Sequence, residues 1–220
     1  DATDAAARME RFMEDQLAEG GFREAFSAFL DDLTTFPTAI LKGPVVRRKP
    51  ALGWAEDGMG GWKPAVETKL VREWERVDPF RFYPSPYSTT IEDGYTIEHH
   101  PLSRRALTEL IGVEGYDETK IREVLAEYGR GGLRNWLTSD AQRNEAEGRI
   151  DPQSTGVGDG DPRIDALQFF GSVSGKMLRE WGMGADQIPD EAREYDCEVW
   201  LIGRVVIKAM LNPDPLERKP

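Results

Sequence analysis

Hydrophobic positions along the first third of the chain recur at helical spacing. Met9, Phe12, Met13 and Leu17 lie three or four residues apart, which predicts an amphipathic helix from a cap at Thr3 or Asp4 to about Glu19. Gly20-Gly21 breaks it. Phe22, Ala25, Phe26, Phe29, Leu30 and Leu33 then repeat the pattern at i, i+3, i+4, i+7, i+8 and i+11, predicting a second helix. Both stripes are expected to face inward. Thr34 to Pro37 ends the second helix, because proline lacks an N–H and disfavours helical geometry in the residue before it.

The period then shortens to that of a strand. Residues 38–48 read as extended, interrupted at Gly43-Pro44. The glycine-rich stretch from Ala51 to Pro64, with Trp54 and Trp62, reads as a loop or hairpin end. Val66, Thr68, Leu70, Arg72 and Trp74 alternate with Glu67, Lys69, Val71 and Glu73, a strand pattern. Residues 77–86 are aromatic and proline-rich, hence irregular, and Tyr95–His100 is a short strand.

Two helix starts follow. Ser103 caps one, with Leu102 and Leu107 as a hydrophobic staple; Asp117 caps the next, with Tyr116 and Ile121. That second helix points Ile121, Val124, Leu125 and Tyr128 inward, and Gly129, Gly131 and Gly132 interrupt it before Leu133–Leu137. Residues 139–163 are polar throughout and read as a linker or long loop. Beyond it, residues 164–173 predict a strand, 174–181 a short helix with Met177, Leu178 and Trp181 on one side, and 195–210 two strands about Gly203-Arg204. The fold class is therefore α+β. The expected organisation is an α+β region over 1–138, the linker over 139–163 and a small α/β subdomain over 164–220.

Composition narrows the function. Forty acids against 28 bases give a net charge of −12 in 220 residues. A protein that grips DNA by its phosphates is normally basic on that face, so a conventional nucleic-acid binder is disfavoured. A surface that DNA slides past fits the sign, because like charges repel. No apolar run reaches the length of a membrane span, and mean hydropathy is −0.55. The single cysteine, Cys197, rules out an internal disulfide and multi-cysteine zinc sites. The chain begins at Asp1 and stops at Pro220, and a piece of a longer protein is expected.

Candidate chemistry is sparse. His99 and His100 are adjacent in a strand and should point to opposite faces, so they are poorly placed to share a metal. Gly158-Asp-Gly-Asp161 lacks the spacing of a calcium loop. Gly129-Arg-Gly-Gly132 lacks the ending of a phosphate loop, and Gly171-Ser-Val-Ser-Gly175 places Ser174 one position too late for a nucleophile elbow. Cys197 sits beside acids that raise a thiol pKa, which suits a structural role. Arg47-Arg48-Lys49 and Arg104-Arg105 read as solvated surface or subunit ion pairs. Six tryptophans are more than a polar monomer needs, and Trp200 is the first candidate for an interface anchor.

Several stretches in this order resemble the head-to-tail portal proteins of tailed bacteriophages. They are Gly21–Phe26, Phe36–Pro44, Trp74–Phe80 with Tyr83–Pro86, Leu102–Leu110, Leu167–Gly175 and Cys197–Ile202. The resemblance implies a non-enzymatic protein with no cofactor and no catalytic or metal-binding residue. It implies a dodecameric ring at one capsid vertex, assembled in the host cytoplasm, through which double-stranded DNA passes without sequence-specific binding. It also implies docking to the packaging terminase, tail adaptors and capsid proteins, with no membrane. Residues 1 to about 100 would belong to the outer wing, the helices between Ser103 and Leu137 would approach the stem, and 164–211 would form the clip. Arg104, Arg105, Lys120 and Arg122 would then be possible DNA-channel residues from their place near the stem. The alternatives are another non-enzymatic virion adaptor or interaction module and a metal-dependent hydrolase.

Overall fold

A computed structural model describes residues 2–56, 58, 60–128 and 163–212. The fold is α+β, and the chain divides into two compact units, residues 1–79 and 80–219. The linker expected over 139–163, Arg163 apart, lies outside the described residues, as do the glycines after Tyr128 and the resumed helix at 133–137. No helix among the described residues is long and apolar enough to cross a membrane.

The first unit holds helices α1 (Ala2–Glu19) and α2 (Phe22–Thr35) and a long antiparallel hairpin, β1 (Ile40–Glu56) with β2 (Trp62–Val77). Gly21 adopts φ 70°, the left-handed conformation that lets α2 start directly after α1. Gly20 lets the chain pass close over β2: its carbonyl accepts from the Trp74 N–H at 3.0 Å, and its Cα lies against the Trp74 ring. Phe22 meets that ring edge-on at 5.7 Å. Arg76 of β2 grips the buried Asp32 of α2 through two nitrogens, Nη2 donating to Oδ1 at 2.7 Å.

One expectation resolves and one fails in this unit. Of the two readings of Ala51 to Pro64, loop or hairpin end, the second holds: β1 and β2 pair out to Glu56 and Trp62. Cross-strand hydrogen bonds carry the strands past Gly53, although glycine is a poor strand residue taken alone. The helical stripes, expected to face inward, do not face an interior. Met9, Phe12, Met13 and Leu17 of α1 and Phe26, Leu30 and Leu33 of α2 are exposed, and the only buried apolar residues described in this unit are Ala25 and Val77.

The second unit is a five-stranded antiparallel sheet in the order β3-β4-β5-β6-β7, covered on both faces. Its strands are β3 (Phe82–Pro84), β4 (Thr96–Leu102), β5 (Ile164–Ser174), β6 (Glu194–Ile202) and β7 (Val205–Leu211). β6 and β7 turn at Gly203-Arg204 as expected, with Gly203 at φ 61°. One face packs under α3 (Arg104–Glu109) and α4 (Glu118–Tyr128), where Leu107, Ile121, Val124, Ile164, Ala166, Trp200, Ile202 and Ile207 form a core. The other packs under α5 (Gly175–Glu180) and the loop after it, around Leu178, Ile188, Cys197, Val199 and Val206.

Both predicted caps form. Ser103 Oγ accepts from the Ala106 N–H at 3.1 Å, and Asp117 Oδ1 from the N–H groups of Thr119 and Lys120 at 3.0 and 3.2 Å. The expected grouping of residues does not match the sheet. β4 pairs with β5 from Thr96↔Phe170 to Leu102↔Ile164, so residues 80–128 share one sheet with 163–212 instead of belonging to a region 1–138. The physical reason is long-range strand pairing: the inward residues of β4 and β5 lie more than sixty positions apart, and no local signal joins them.

Candidate functional site

Alternation along the hairpin sorts its side chains onto two faces. The register places Val46 across from Arg72, Leu52 from Val66, Trp54 from Pro64 and Glu56 from Trp62. Side chains directly opposite share a face, and along each strand every second residue does. Val46, Leu52, Trp54, Trp62, Val66 and Leu70 therefore line one face, and each is 60–76 % exposed. The opposite face carries Arg47, Lys49, Glu73 and Glu75, joined by Arg47–Glu75 at 2.6 Å and by Lys49–Glu73. One side thus carries paired charges, and the other presents six exposed apolar side chains, with Glu56, Thr68 and Arg72 among them.

Helix α1 offers a second uncovered surface. Its stripe of Met9, Phe12, Met13 and Leu17 is 37–58 % exposed. Gln16 and Glu19 hold its last turn to β2 through Arg72 at 3.5 Å and Lys69 at 3.2 Å. Contiguous exposed apolar surface of this kind marks an interaction site.

The residues expected to face DNA lie on α3 and α4, and each is already engaged. Arg104 Nη1 donates to the Leu125 carbonyl at 3.0 Å, satisfying one of the open acceptors at the end of α4. Arg105 pairs with Glu109 at 2.9 Å, and that hydrogen bond and charge raise its pKa. Arg122 pairs with Glu118 at 2.6 Å, and Lys120 donates to the Trp181 carbonyl at 3.0 Å beside Asp117. Over residues 103–128 these four bases sit among six acids. Each cation is spent on a different partner within its own unit, and acids outnumber them on this stretch.

Trp200 is a core residue and not an exposed anchor. It is 9 % exposed, stacks on His100 at 4.8 Å and meets Tyr116 edge-on at 5.9 Å. Its Nε1–H donates to Glu198 Oε1 at 2.7 Å. A strand residue on a sheet covered by α3 and α4 has little surface left for a neighbour. The exposed tryptophans among the described residues are Trp54 and Trp62, near the end of the hairpin.

Glu198 is the hub of a polar network across four strands. Gln168 donates to its Oε1 at 2.9 Å and Lys208 to its Oε2 at 2.8 Å; His100 reaches the Gln168 carbonyl oxygen at 2.9 Å. Burial pushes the Glu198 carboxyl up, but the hydrogen bond and charge of Lys208, with Trp200 and Gln168 donating, outweigh it and hold the pKa below its ordinary value. Burial and the Glu198 charge together push the Tyr116 phenol up. Tyr116, Lys120, Trp181 and Lys208 line a shallow cavity of about 250 Å³. With Glu198 held ionised by three neighbouring donors, Lys208, Trp200 and Gln168, the network reads as a structural clamp.

The two histidines do diverge: His99 Nε2 meets Asp165 at 2.8 Å in the interior, and His100 joins the Glu198 network. Burial first, then the charges of Asp196 and Glu198, push the Cys197 thiol up to about 12, which leaves it inert at neutral pH. Among the described residues no three metal-ligating side chains converge.

Compared with known proteins, the chain matches no family model and no curated protein.

Proposed function

We propose that this chain is a structural, non-enzymatic portal subunit of a tailed bacteriophage, one copy in a ring at the capsid vertex through which DNA is packaged and ejected. In that role it docks the packaging terminase and the tail adaptors and works in the virion without a cofactor. The observation that carries the reading is the first unit's surface. A long two-stranded hairpin with one apolar face bare, beside an amphipathic helix whose stripe is bare, is a unit built to be covered by a neighbour. The portal-like order of segments supplies the class of assembly, and the acidic balance suits a conduit that must not trap DNA.

The test is the mass in solution, by light scattering, of this chain and of the longest chain that contains it, with electron micrographs of any large species. A closed ring is the expected result. Monomers of both at high concentration would remove the reading and favour a monomeric virion adaptor.

A further inference from the structure

Two bare apolar surfaces on one unit raise the question of what covers each. The hairpin face presents six large side chains, each at least 60 % exposed, on the order of 800 Å² and so near the area one partner contributes to a standard stable interface. The α1 stripe presents Met9, Phe12, Met13 and Leu17. The side chains of both surfaces stay at least 37 % exposed.

The net charges of the two elements differ in sign, which favours a contact between unlike elements. Residues 2–35, the two helices, hold eight acids against three bases, a formal −5. Residues 40–77, the hairpin, hold eight bases against five acids, a formal +3 for the element as a whole, with Arg47 and Lys49 paired on the ionic face and Arg72 and Glu56 on the apolar one. Helix against helix or hairpin against hairpin brings like charges together, whereas hairpin against helix brings opposite ones together. Around the α1 stripe, Glu10 and Glu14 follow Met9 and Met13 at helical spacing and border its edge.

We propose that the apolar face of the β1–β2 hairpin docks on the α1 stripe of a second copy of this chain, head to tail. The inference rests on the self-association that the proposed function requires and adds the two surfaces that meet. Such a contact joins different patches on the two copies, so one copy keeps its α1 stripe free, the other keeps its hairpin face free, and each can add another neighbour. That is the heterologous geometry from which rings are made; a contact between identical patches stops at a dimer.

The test uses cysteine pairs in the intact chain. Native Cys197 is buried, so added cysteines report alone. Met13→Cys and Leu52→Cys chains are mixed and treated with a short bifunctional maleimide. Cross-linking between chains in the mixture, and little in either variant alone, is the expected result. Leu52→Cys cross-linking to itself, or a link formed only within a chain carrying both substitutions, would overturn the proposal. In parallel, Leu52→Asp with Val66→Asp should weaken association at least about tenfold while leaving the circular dichroism unchanged. If the unaltered chain forms a ring that this variant also forms, the proposed contact is wrong and the portal reading stands. If the unaltered chain stays monomeric at high concentration, the contact is wrong and the portal reading loses its main support. If the double variant fails to fold, the cross-linking result decides.

Discussion

The two units are built from similar materials and differ in what they do with them. The second closes two cores, one on each face of its sheet, around Leu107, Ile121 and Ile202 and around Leu178, Ile188 and Val199. The first has equally regular apolar stripes yet buries only Ala25 and Val77 among its described apolar residues. Amphipathic periodicity states which side chains seek cover; it does not state whether the same chain supplies it. The first unit keeps its shape through specific polar and close contacts at the base of the hairpin: Arg76 with Asp32, Gly20 over Trp74, Phe22 against the same ring.

The largest expected effect tests that contrast directly. Ile121→Ala, in the core under α4, should cost about 2–5 kcal/mol by removing buried methyl groups and leaving a cavity. Leu52→Ala, a similar deletion on the hairpin face, should leave monomer stability within about 0.5 kcal/mol. Urea unfolding at low protein concentration gives both values. Equal losses would mean that the hairpin face is covered inside its own chain, and the comparison would collapse.

Next in size is the one tight point in the first unit. A methyl group at Gly20 would meet the Arg72 carbonyl and the Trp74 ring. Gly20→Ala should therefore cost about 1–3 kcal/mol, the range for overpacking. Gly21→Ala meets no atom but must hold φ 70°, so its cost should be nearer 1 kcal/mol. A neutral Gly20→Ala would show that the base of the hairpin gives way freely.

Comparable in size but dependent on pH is the Glu198 clamp. Its carboxyl pKa is lowered in the folded chain. The stability it contributes is therefore fully present above its unfolded value near 4.5 and is lost as pH falls through the folded value. Lys208→Met should cost about 1–3 kcal/mol at neutral pH, because it strands a partly buried carboxylate. Glu198→Gln should fall below the unaltered chain by an amount that shrinks as pH drops below that range. Denaturation curves at several pH values check the sign; a gap that widens in acid would show that burial dominates the carboxyl instead of Lys208.

Much of the fold was readable from local signals. The caps at Ser103 and Asp117, the turn at Gly203-Arg204 and the helix bounds near Glu19 and Thr35 each rest on chemistry within a few residues. What was not readable depended on distant partners. The pairing of β4 with β5 needed residues more than sixty positions away, and Trp200 could be placed in the core only once α3 and α4 were seen to cover its face. The hairpin face had a signal that glycine obscured. Leu52 and Trp54, then Trp62, Pro64 and Val66, keep an even-numbered alternation, but the glycines between them read equally as a loop or a hairpin end. A portal-like arrangement of segments suggested self-association without indicating which side chains would carry it.

The smallest effect concerns the exposed charges of the second unit. Arg122 and Glu118 sit one helical turn apart on α4, paired at 2.6 Å with both side chains more than half exposed. Such a pair gains little in water, because ordering two long side chains offsets most of the attraction. Arg122→Ala should cost about 0.3–0.5 kcal/mol at low salt, and the loss should fade as salt screens the pair. Thermal unfolding at two ionic strengths measures it. A loss well above 1 kcal/mol that persists in high salt would place Arg122 in packed structure, and the second unit would then also present a surface that some neighbour covers.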